Sequence, residues 1–82
     1  MTVVRYWAAV KAAAGTAQDE VPADTLADAL TMARGRHDAR FAEVLAGCSF
    51  LVDGAPVGSR DHAAVLVGAG SLVDCLPPFA GG

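Results

Sequence analysis

One segment of this chain carries a strong helical period, and it lies between stretches that read as strand. Leu26, Leu30 and Ala33 recur at i, i+4 and i+7, which puts them on one face of a helix. Thr25, with Asp28 three residues on, resembles a capping box at its start; Asp24 is the alternative cap, and Gly35 is a natural stop. With 82 residues the chain is one domain with room for a single modest core, so helix and strands must share it.

Thr2 to Trp7 is rich in β-branched and aromatic residues and reads as the first strand. Ala8 to Ala14 is a short helix-compatible stretch ended by Gly15, and Ala17 to Val21 is a polar edge strand ending at Pro22. A weaker pattern in Phe41, Val44 and Leu45 marks a second short helix over residues 38–46, ended by Gly47. Asp53 and Gly54 tolerate positive φ and predict a tight hairpin between Ser49–Val52 and Ala55–Val57. Val65 to Val67 leads through the Gly68, Ala69, Gly70 turn into a final strand, Leu72 to Leu76. Hydrophobic residues make up 54%, much of it alanine, so the core is expected to be thin, built of Val, Leu and Ala with few large anchors.

Charge and residue types exclude several functions. A net charge of -3 and a pI near 5.0 oppose nucleic-acid binding, which needs a clustered positive surface. Arg34, Arg36 and Arg40 form a small basic cluster that reads as a solvated helix end or, alternatively, as a patch for an acidic partner. Cys48 and Cys75 lack zinc or redox spacing, and Cys75 in its strand reads as a buried small hydrophobe. His37 and His62 have no second ligand at helical spacing, so no metal site is expected. Ser59, Asp61 and His62 are too close in sequence to converge as a triad, and the only lysine, Lys11, has nothing near it that marks a reactive amine. No signal-peptide pattern and no membrane-length apolar run is present, which makes cytoplasm the expected location, without a membrane partner.

The sequence closes with Leu76, Pro77, Pro78, Phe79, Ala80, Gly81 and Gly82. Two glycines have no Cβ to obstruct a narrow opening, so this segment is expected to run extended and carry a carboxylate into another protein's active site. Pro77 and Pro78 restrict the preceding backbone to extended conformations and hold the tip off the body. Residues 1–76 are thus expected to form the domain and residues 77–82 a flexible tail bearing the reactive group.

These residues resemble the MoaD-like small subunits of molybdopterin synthase, sulfur carriers of the MoaD/ThiS group in the ubiquitin-like β-grasp superfamily. The resemblance runs along essentially the whole chain and is most specific from Gly70 to Gly82. It implies an α+β fold, a mixed sheet of about four to five strands on one main helix, ending in an extended Gly-Gly tail. It implies that Gly82 is adenylated by an ATP-dependent enzyme and converted to a thiocarboxylate by a sulfurtransferase system. The large synthase subunit then accepts the tail and supplies the catalysis, sulfur builds the dithiolene of molybdopterin, and this chain binds no cofactor itself. Partner contacts are implied for Gly81, Ala80, Phe79, Pro78, Pro77, Leu76 and Trp7, with Val4, Tyr6, Val73 and Cys75 turned inward. Strand alternation alone leaves the buried parity open, and Trp7 has an alternative reading as a core residue. Ser71 replaces an acidic residue usual in the family, while Phe79 and Cys75 also depart from its pattern. Two alternatives remain: a carrier serving thiamine, cysteine or another sulfur metabolite, and a β-grasp interaction module whose tail is never activated.

Overall fold

The first and last strands of the described chain, β1 (Thr2–Tyr6) and β5 (Leu72–Leu76), lie side by side and parallel, pairing Val3 with Leu72 through Tyr6 with Cys75. The computed structural model describes residues 1–78. Antiparallel β2 (Gln18–Val21) flanks β1, and the hairpin of β3 (Ser49–Val52) and β4 (Ala55–Pro56) flanks β5, giving the order β2-β1-β5-β3-β4. β5 is therefore the middle strand of five, and β2 is the polar edge expected from its composition.

Three helices accompany the sheet: α1 (Ala8–Ala14), α2 (Leu26–Gly35) and α3 (Ala39–Ala46). The Thr25 hydroxyl caps α2 by accepting the Asp28 N–H at 3.1 Å, and Asp24 instead uses its carbonyl to accept the Val67 N–H. Asp38 caps α3 in the same way through the Phe41 N–H. Gly15 closes α1 in the left-handed region at φ 72°, as a C-terminal glycine should, whereas Gly35 is simply the last residue of α2, with Arg36 as its cap. Asp53 and Gly54 both take positive φ in the hairpin turn, and Asp53 further accepts the Leu72 N–H, tying the turn to β5. Leu66 forms only an isolated bridge to Thr25, beyond a 3₁₀ turn at His62–Ala64. Ser71 accepts the Gly68 N–H through its hydroxyl, so an uncharged acceptor serves this turn.

The buried parity is now fixed. Val4, Tyr6, Val73 and Cys75 are buried with Leu26, Leu30, Ala33, Phe41, Leu45 and Phe50 in one core. Tyr6 and Phe41 meet edge to face at 5.2 Å and are its largest fully enclosed side chains, so the core rests on two aromatic anchors amid Val, Leu and Ala. Burial pushes the Cys75 thiol up and the Cys48 thiol up to about 11, which keeps both protonated and unreactive. Among the described residues, no helix is long and apolar enough to cross a membrane.

Candidate functional site

The middle strand delivers Leu76 to one end of the sheet, and Pro77 and Pro78 continue from there. Because Ser49 pairs with Leu76, and Tyr6 with the adjacent Cys75, the start of β3 and the β1–α1 junction converge on the same end. Together they enclose a groove of about 630 Å³ lined by Trp7, Ala8, Ala9, Ser49, Leu76, Pro77 and Pro78. None of these side chains is charged. The groove offers apolar surface with one hydroxyl, so it can bind but has no group fitted for acid–base or nucleophilic chemistry of its own.

Trp7 keeps an extended backbone at φ -122° and so continues the alternation of β1, with its side chain on the sheet face opposite the core. It is 43% exposed, which decides against the core reading. Ala8 then takes φ 49°, a left-handed conformation that L-residues adopt at a cost, and turns the chain sharply into α1.

Asp74 holds the indole in place. Its Oδ1 accepts the Trp7 Nε1–H at 2.8 Å and the Arg5 Nε–H at 2.7 Å, while the Arg5 guanidinium lies 4.9 Å from the centroid of the Trp7 ring. Arg5 and Asp74 are direct partners in the β1–β5 register, so the pair is set by strand pairing. Burial pushes the Asp74 carboxyl up, but the hydrogen bonds from Arg5 and Trp7 and the Arg5 charge outweigh it and hold the group below its ordinary 3.8. Sequence reasoning did not single out Asp74 or Arg5. The available signal was a carboxylate alternating with Val73 and Cys75, which puts it on the outer face beside Arg5.

A second carboxylate, Asp19, works on the core face. It accepts the Tyr6 O–H at 2.6 Å and the His37 Nε2–H at 2.6 Å, with Arg36 3.8 Å away. Burial raises Asp19, yet the hydrogen bonds from Tyr6 and His37, with the charges of His37 and Arg36, bring it below 3.8. Burial and then Asp19 itself push the Tyr6 phenol up, so it stays a donor. This cluster fastens the α2–α3 connection to the edge strand and lines no groove described above.

The remaining sequence candidates disperse. Arg34 bonds Thr31, Arg36 reaches Asp19, and Arg40 is exposed. Arg60 donates to the carbonyls of Val57 and Pro56, Asp61 caps the 3₁₀ turn, and His62 packs edge-on to Phe50, so Ser59 to His62 form no constellation. Among the described residues no group of three or more His, Cys, Asp or Glu could hold a metal ion. Of the expected partner-binding residues, Trp7, Leu76, Pro77 and Pro78 come together at the groove. Phe79, Ala80, Gly81 and Gly82 lie outside the described residues.

No family model and no curated protein sequence matches the chain. Solved structures do match its fold along nearly the whole length. Small archaeal modifier protein 1 from Methanosarcina acetivorans superposes with a TM-score of 0.83 at 18% identity, covering 99% of this chain and 95% of that one. A chain of the Amycolatopsis orientalis BexX/CysO complex gives 0.81 at 18% identity, covering 100% of both. A chain from the complex of subunits 1 and 2 of the Helicobacter pylori 26695 molybdopterin-converting factor gives 0.72 at 18% identity, covering 99% and 97%. At such identities the likeness speaks for the fold. The shared fold is α+β and ubiquitin-like, the class that the sequence resemblance implied.

Proposed function

We propose that this chain is the sulfur-carrier subunit of a molybdopterin synthase. In this reading an ATP-dependent activating enzyme joins the Gly82 carboxylate to AMP, releasing pyrophosphate. Sulfur at the level of hydrosulfide, supplied by a sulfurtransferase system, displaces AMP and leaves a thiocarboxylate. The tail from Pro77 to Gly82 then enters the large subunit, sulfur passes to a cyclic pyranopterin monophosphate, and water restores the carboxylate. Catalysis resides in the large subunit, the carrier works in the cytoplasm, and ATP belongs to the activating enzyme.

One observation carries this reading: the strand that leads into the tail is the middle strand of a sheet whose fold is shared with a chain of a molybdopterin-converting factor complex. A tail rooted in the best-supported strand gives the partner a rigid base against which to seat a slender segment. The test is intact mass spectrometry after incubation with ATP, the activating enzyme and a sulfur donor. We expect one oxygen-to-sulfur exchange at Gly82, abolished by Gly82→Ala or by one added residue without loss of folding. An unmodified tail, in a mixture where a known carrier reacts, would sink the proposal.

A second reading keeps the chemistry and changes the acceptor, to thiamine, cysteine or another sulfur metabolite. The fold is shared over the full length of both with a chain of the BexX/CysO complex, so it is not confined to molybdopterin-converting factors. Sulfur exchange at Gly82 without formation of molybdopterin in the presence of the large subunit would select this reading.

A further inference from the structure

We infer that Asp74 is a positioning residue of the partner-binding surface: it clamps the Trp7 indole as a wall of the groove at the root of the tail. The occupant of that groove is an uncharged, apolar side chain of the subunit that receives the tail. The inference rests on the carrier reading above and deepens it.

Three observations support the clamp. Arg5 and Trp7, successive outward residues along the first strand, donate to the same Asp74 oxygen from adjacent positions. Asp74 is only 6% exposed although it lies on the face away from the core, so Arg5 and Trp7 cover it and are held by it. The backbone next to Trp7 accepts a left-handed alanine at φ 49°, which ties the indole's position to a strained junction. A Trp–carboxylate hydrogen bond, an ion pair and a guanidinium over the ring leave the indole little freedom to rotate.

The chemistry of the occupant follows from what the clamp consumes. The Trp7 N–H is already satisfied by Asp74, so the indole presents ring surface to the groove with no donor left to pair. The other walls are Ala8, Ala9, Leu76, Pro77 and Pro78, with Ser49 as the only hydroxyl. A charged partner group would lose its hydration there without compensation, whereas an aliphatic or aromatic one would not. Pro77 and Pro78 are both groove wall and base of the tail, so any protein that engulfs residues 79–82 also meets this surface.

The test uses the full chain and its cognate large subunit. Trp7 is the only tryptophan, so its fluorescence anisotropy and its quenching by acrylamide report the clamp directly. Asp74→Ala is expected to lower anisotropy, increase quenching and weaken large-subunit binding about tenfold, by the measure of a partner anchor released from its support. Asp74→Asn retains an oxygen for the indole N–H and should recover most of the anisotropy and part of the affinity. Binding losses of Asp74→Ala and Trp7→Ala should fail to add in the double variant, because one acts through the other. Unchanged anisotropy in Asp74→Ala, or fully additive losses, would overturn the inference. If the wild-type chain does not bind the large subunit at all, the functional proposal and the assigned occupant fall together, while the fluorescence arm still decides the clamp.

Discussion

Tyr6 and Trp7 are neighbours in sequence on opposite faces of the sheet, and each gives its polar hydrogen to a strand aspartate. Tyr6 donates to Asp19 beneath the helices, and Trp7 donates to Asp74 on the open face. Each aspartate also takes a cationic or ring N–H partner, His37 with Arg36 in one case and Arg5 in the other. The chemistry is nearly the same and the surroundings are not. Around Asp19 the two hydrogen-bond donors are enclosed, with Tyr6 at 1% exposure and the His37 side chain at 13%, so their alternative to the carboxylate is an unpaired buried group. Around Asp74 the Arg5 side chain is 39% exposed and Trp7 is 43% exposed, so their alternative is water. One network therefore holds the fold and the other shapes a surface.

The largest effect should come from breaking the enclosed network. Asp19→Ala leaves the Tyr6 hydroxyl buried without an acceptor and releases His37, at a cost of about 2–3 kcal/mol. For a domain of this size that lowers Tm by roughly 10–20 °C, read by thermal denaturation. The same substitution at Asp74 should cost about 1 kcal/mol or less, since Arg5 and Trp7 can turn to solvent. Equal losses of Tm would erase the distinction between the two faces, and a larger loss at Asp74 would reverse it.

Acid sharpens the comparison. Both carboxyls are held below 3.8 in the folded protein, so each contributes stability that is complete above the unfolded value and lost as pH falls through its folded value. Thermal melts taken from about pH 5 downward should show a smaller pH slope in Asp19→Asn than in the wild type. Indole quenching over the same series should rise in the wild type as Asp74 is protonated and the clamp opens. Asp74→Asn, with no carboxyl to titrate, should lack that step.

What was legible in the sequence was local, and what was not depended on register. Thr25 with Asp28, the stop at Gly15 and the Asp53–Gly54 turn each complete their signal within a few residues, and each forms as expected. The inward parity of Val4, Tyr6, Val73 and Cys75 could be stated only through the family resemblance, because alternation is symmetric until packing breaks it. Asp19 stands 13 residues from Tyr6, and Asp74 stands 69 from Arg5 and 67 from Trp7. Nothing near either aspartate in sequence names its partners. Pairing of the first strand with β2 brings Asp19 to Tyr6, and its pairing with the last strand brings Asp74 to Arg5 and sets the orientation of Trp7 at the groove.

The smallest effect concerns the hinge between the two faces. Tyr6 turns in and Trp7 turns out, and Ala8, the first residue of α1, takes the change of direction at φ 49°. A left-handed conformation costs an L-residue about 1 kcal/mol or more, whereas glycine adopts it freely. Ala8→Gly removes that strain but loosens the unfolded chain and the first turn of α1, so the net gain should not exceed about 1 kcal/mol, a rise in Tm of a few degrees. Stability and positioning should then part company. If the strained alanine helps fix the indole, Ala8→Gly gains stability while Trp7 anisotropy falls, the reverse of the order expected for a residue that serves the fold alone. A gain in both would mean that Asp74 and Arg5 hold the indole without help from the junction.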